Sequence, residues 1–172
     1  MNLVQGILGI LLLFTLSCTR NSSSGYFSKE GVSFIYPQGW SINEEEDLDG
    51  EGYYLSVEKK GLNESGIVQI TWFDVHIDNH EYLEIMQKEY KNQKLFYDLK
   101  FETAKNSHFN GIESIACKFS FKILGLRHRG AIYIFSDENK TFSFVTQEAL
   151  EDIQKNKEGF ELIRSTFKTE PK

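Results

Sequence analysis

Carboxylate and imidazole side chains alternate through Asp74-x-His76-x-Asp78-x-His80. These are ligand types that zinc and similar divalent metals favour. At strand spacing Asp74 and His76 project to one side, just where the chain turns toward a helix. Asp74, His76 and His80 are therefore the candidate metal ligands. The same residues also read more simply, with Asp78 capping the helix and both imidazoles solvated at its start. Three other groups invite chemistry. Asp47-x-Asp49-Gly50 carries oxygen ligands of the kind calcium loops use, but the further ligands and the distal Glu of such a loop are missing, so it reads as a solvated acidic loop. Arg127-His128-Arg129 sets two guanidiniums on one strand face, which suits a carboxylate or phosphate or, more plainly, salt bridges to the many Glu side chains. Cys117, with His108 or His128 as base, has the composition of a nucleophilic pair. Its neighbours Ile115 and Phe119 instead predict a buried, inert thiol.

The sequence has no Gly-x-Ser-x-Gly elbow, no His-Glu-x-x-His and no phosphate loop. Neither a catalytic set nor a cofactor is expected.

The elements that must hold these residues follow from periodicity. Val32, Phe34 and Tyr36 alternate as in a strand, and Pro37 and Gly39 turn the chain into Trp40. Residues 44–52 read as a loop. Tyr53, Leu55 and Val57 mark the next strand. Ile67–Phe73 is apolar on both faces, which predicts a central position. From Asp78, with Glu81 three residues on, the period becomes helical through Tyr82, Ile85, Met86, Tyr90 and Phe96, giving one amphipathic helix of about twenty residues. Strands return at 101–109, before the hairpin signal Asn110-Gly111, at 115–121 and at 126–135. Another strand runs through Phe142 and Phe144. Leu150, Ile153, Phe160 and Ile163 trace a second helix, weakened at Gly159. The fold class is α+β, an antiparallel β-sheet with helices packed on it and both faces covered.

The first seventeen residues form a separate unit. Residues 3–16 are an apolar run without charge, shorter than the roughly 20 residues of a membrane span and matched to the core of a secretory signal. Ser17 then precedes Cys18, and the Ser-rich stretch TRNSSSG follows as a tether. An apolar core, a small residue, Cys and a polar tether together resemble the lipobox of bacterial lipoproteins. That resemblance implies cleavage before Cys18, a diacylglycerol on its sulfur and attachment to a membrane of the bacterial cell envelope. Thr15 stands where the family usually has Leu, and a basic leader is missing. Thr19 rather than Asp after the Cys implies the outer membrane if the host has one. The expected organisation is a signal peptide at 1–17, a lipidated Cys and tether at 18–25, and a domain at 26–168. Asn21, Asn63 and Asn139 match the glycosylation triplet, which chance explains in a bacterial lipoprotein.

The 172 residues carry a net charge of −6 and 14% aromatic residues, enough for one packed core and unsuited to a general nucleic-acid binder. The strand running into Tyr36-Pro37-x-x-Trp40, the mid-chain helix, the later hairpins and the ending Ser165-Thr166-Phe167-Lys168 resemble the PsbP/DcrB-like family. Thr166 is an insertion into that family's usual Ser-Phe ending. The resemblance implies an α/β/α sandwich, with Trp40 a core anchor and Pro37 a turn. It also implies a non-catalytic accessory protein that binds a larger assembly, through an envelope partner not named by the sequence. The alternative is a small-ligand or metal-binding lipoprotein with its site near His76 and His80.

Overall fold

The computed structural model describes residues 24–137 and 139–170. The signal segment, Cys18 and most of the tether lie outside the described residues. The chain enters as a hairpin, β1 (Gly25–Lys29) and β2 (Val32–Tyr36). Glu30 and Gly31, at φ 50° and 81°, turn it. β3 (Trp40–Asp47), β4 (Gly52–Lys59) and β5 (Ile67–Phe73) follow as a meander, then α1 (Asn79–Asn92). β6 (Tyr97–Phe101), β7 (Lys105–Phe109), β8 (Ile112–Ile123), β9 (Leu126–Ser136) and β10 (Thr141–Ala149) complete the strands of the main sheet. A single 3-10 turn at Leu150–Asp152 leads into α2 (Ile153–Thr166), and the short β11 (Lys168–Thr169) closes the chain. The main sheet has eight strands in the order β3-β4-β5-β10-β9-β8-β6, with β7 also paired to β8. β1, β2 and β11 form a second, three-stranded sheet. The α+β antiparallel class is thus the observed one.

Alternation of side chains gives the main sheet two different faces. On one, Leu55, Val68, Ile70, Trp72, Phe142 and Phe144 are fully buried beneath α2 and the β1–β2 hairpin. Phe167 sits at the centre of this core, with the rings of Phe34, Phe109, Phe135, Phe142 and Phe144 around it. Each buried side chain of this size contributes about 1.5–3 kcal/mol. On the other face α1 packs against β8 and β9, where Tyr82 and Leu83 meet Cys117, Phe119, Ile132 and Ile134.

Several local expectations are corrected. The acidic stretch 44–47 is the outer strand β3, because pairing with β4 supplies backbone partners that Glu propensity alone does not favour. Its row of charges also blunts the sheet edge against further pairing. The predicted strand 101–109 is two strands, β6 and β7, both paired to the long β8. The first helix has fourteen residues rather than about twenty, since Gln93 is already extended. Phe96 lies beyond it, 4.4 Å between centroids from Phe121. Coverage of both faces is incomplete: β5 is central, yet Ile67, Gln69 and Thr71 remain half-buried on the α1 face. β1 and β11 add strands that the alternation of residues alone does not reveal.

Candidate functional site

Residues 74–78 are not a strand but a bent connection between β5 and α1. Asp78 accepts the backbone N–H groups of His80 and Glu81 at 2.9 and 3.0 Å. The Glu81 N–H, followed by that of His80, holds its carboxyl below the usual range. Asp74 is drawn elsewhere, 2.8 Å from Lys140 Nζ. Lys140 also donates to the Glu30 carbonyl and lies over the Trp72 ring. His76 and His80 do converge, together with His108 from β7 and Glu113 from β8, around a cavity of about 340 Å³. Ser114 lines this cavity, and its buried hydroxyl has no hydrogen-bond partner among the described residues. Among the described residues no three His, Cys, Asp or Glu side chains are grouped closely enough to hold a metal ion. Of the candidate ligands Asp74, His76 and His80, Asp74 is engaged by Lys140, while His76 and His80 line the cavity with His108.

A second cavity, about 360 Å³, opens at the other end of β8 and β9. Lys100, Lys122, Arg127 and His128 line it beside Phe121 and Leu150. Asp98 is the carboxylate on its wall and pairs with Lys122 at 2.6 Å. His128 stacks on Phe121, and desolvation lowers its pKa.

The two arginines of 127–129 separate in role. Arg129 grips the buried Glu148 through Nε and Nη2 at 2.8 and 2.7 Å, the salt-bridge reading, whereas Arg127 turns to the basic cavity. Cys117 is buried beside α1, and burial pushes its thiol pKa up. Its hydrogen-bond partners are Gln87 and the Glu102 and Lys118 carbonyls, not His108 or His128. Asp47 caps its own turn by accepting the Gly50 N–H at 2.7 Å. Trp40 is a core anchor as the family pattern implies: it is buried, with Phe160 edge-on at 5.4 Å.

A polar network on the α1 face was not legible beforehand. Tyr90 donates to Gln69, and Gln147 donates to both Gln69 and Tyr90. Gln69 in turn reaches Tyr54. Desolvation raises the pKa of Tyr90 well above the ordinary phenol. The only available signal was Gln69 itself, a long polar side chain inside the apolar run Ile67–Phe73.

This arrangement, a large antiparallel sheet with α1 on one face and α2 on the other, is a PsbP-like α+β fold. The solution structure of cyanobacterial PsbP (CyanoP) from Synechocystis sp. PCC 6803 superposes with a TM-score of 0.62 at 13% identity, over 92% of this chain and 99% of that one. The crystal structure of LpqN, involved in cell envelope biogenesis of Mycobacterium tuberculosis, gives 0.57 at 12% identity, over 87% and 91%. A protein from Bacteroides thetaiotaomicron VPI-5482 gives 0.57 at 15% identity, over 86% of this chain and 48% of that one. No protein-family model and no curated protein sequence matches the chain.

Proposed function

We propose that this protein is a lipid-anchored, non-catalytic component of the bacterial cell envelope that serves a larger assembly as a binding module. The observation that carries the reading is the conjunction of a PsbP-like fold, shared with an envelope-biogenesis protein, and Cys18 placed after an apolar leader. The acyl chains would hold the protein on the bilayer, each buried methylene contributing about 0.8 kcal/mol. Two measurements test the reading. Metabolic labelling with a fatty acid marks the wild-type chain and is lost in Cys18→Ala; label retained by that variant refutes the anchor. Crosslinking in intact cells followed by purification recovers one reproducible envelope protein; repeated failure to recover one removes the accessory role.

A second reading, small-ligand binding at the histidine-lined cavity, is favoured by the unpartnered Ser114 hydroxyl. Thermal melts with added zinc and with added inorganic phosphate decide it. A midpoint unmoved by both eliminates this reading.

A further inference from the structure

Strand register places a distinctive surface at one end of the main sheet. Tyr97 pairs with Lys122, Ile123 with Leu126, and His128 with Ala149, so the loop before β6, the β8–β9 turn and the 3-10 turn lie together. Ten large hydrophobic side chains are exposed among the described residues, and five of them are here: Leu95, Tyr97, Leu124, Leu126 and Leu150. Leu124 is 90% exposed at the tip of the hairpin. Such clustering is unusual on a water-facing surface. The same end carries Lys94, Lys100, Lys122 and Arg127, with Asp98, Glu151 and the buried Asp152 as the nearby carboxylates. The rest of the molecule is acidic, since the whole chain has a net charge of −6. The far end of the sheet carries Asp47, Asp49, Glu51, Asp74 and Asp78.

We infer that this end docks on an anionic lipid bilayer, with Leu124 and Leu126 in the headgroup boundary and the cations against lipid phosphates. The chemistry is that of an interfacial anchor, in which apolar tips insert, Tyr sits at headgroup level and Lys or Arg stems reach outward to charge. Each cation held near an anionic leaflet multiplies binding about fivefold. Position in the chain agrees. Gly25 pairs with Tyr36, and four residues later Trp40 starts β3 opposite Lys59, at the same end of the strands as the β8–β9 turn. The chain thus enters the domain at the end that bears the exposed leucines. From Cys18 to Gly25 it spans at most about 25 Å when extended.

The inference rests on the membrane location proposed above, and the two fail separately, because fatty-acid label reports Cys18 while the following experiment reports the hairpin. Leu124→Cys in the full chain carries an environment-sensitive dye, and the protein is reconstituted into phosphatidylcholine vesicles with or without phosphatidylglycerol. The unsubstituted chain, labelled in the same way, supplies the background and reports any free Cys18 thiol, Cys117 being buried. The expected result is a blue shift with phosphatidylglycerol only, abolished near 1 M salt, where screening acts within about 3 Å. It is also lost in the Lys100→Glu, Lys122→Glu, Arg127→Glu triple variant, whose melting curve checks that it is folded. Dye at Asp49→Cys, on the acidic end, shows no shift. An unmoved spectrum at position 124 overturns the inference. So does an equal shift with phosphatidylcholine alone or at position 49. A shift without vesicles that grows with protein concentration assigns the surface to a second copy of the chain and overturns it as well.

Discussion

The two faces of the main sheet are each met by a helix of fourteen residues, yet they are closed by different means. Beneath α2 the strands present Trp72, Phe142 and Phe144, and Phe167 locks the helix end into a ring of aromatics. Beneath α1 the alternate positions of the same strands are Thr71, Ser143 and Gln147, and hydrogen bonds from Tyr82 to Ser143 and from Gln147 to Tyr90 do part of the work of apolar contact. A hydrogen bond exchanged for water contributes only about 1 kcal/mol, less than a buried aromatic ring. The difference teaches that the α2 face holds the fold, while the α1 face tolerates polar, half-covered surface at β4 and β5.

The largest test of that contrast is Phe167→Ala. Truncation of this ring leaves a cavity among at least five others and costs about 3–5 kcal/mol in denaturant titration. Leu83→Ala, at the buried contact of α1, costs about 2–3 kcal/mol by the same measurement. Equal losses would break the contrast.

Gly159 offers a smaller and more specific test. A Cβ there would sit 2.6 Å from the Trp40 ring. Gly159→Ala therefore costs about 2 kcal/mol through overpacking, although Ala is the better helix former by about 1 kcal/mol. In a Trp40→Leu background the same change becomes neutral or stabilising. Asn110→Ala follows at about 1–2 kcal/mol. Asn110 holds φ 49° and its side-chain amide donates to the Arg164 and Phe167 carbonyls, which satisfies the end of α2. A thermal melt unchanged by this substitution would detach the β7–β8 turn from the α2 face.

The framework was legible in the sequence wherever one residue pattern determined the outcome. Alternation located β2, β4, β8 and β10, runs apolar on both faces located β5 and β9, and the Asp78 cap located the start of α1. Thr166, an oddity against the family ending, accepts the Ile35 N–H at 3.0 Å and donates to the Leu162 carbonyl, tying α2 to β2. Only the tertiary pairing reveals that. Gly159 reads as a weakness until Trp40 is placed against it. The His cavity was half legible: His76 and His80 are neighbours in sequence, but His108 arrives from β7 through the pairing of that strand with β8. The basic end was invisible for the same reason, because Lys100 and Arg127 belong to strands joined only through β8.

The smallest effect separates the helix starts on the two faces. α2 follows Asp152, a buried carboxylate held by Lys155 and Ser65, whereas α1 follows the exposed Asp78. The pKa of Asp78 is lowered on folding by the Glu81 and His80 backbone N–H groups. A lowered folded value means that its stabilisation is fully present above the unfolded carboxylate pKa, near 3.8. It is lost as pH falls through the folded value. Asp78→Asn keeps a good cap without the charge. Near neutral pH its melting midpoint should therefore stay within a few degrees of wild type. Below about pH 4 the two midpoints should converge, since the wild-type carboxylate is then being protonated. Parallel pH profiles would show that Asp78 contributes no charge-dependent stabilisation to α1.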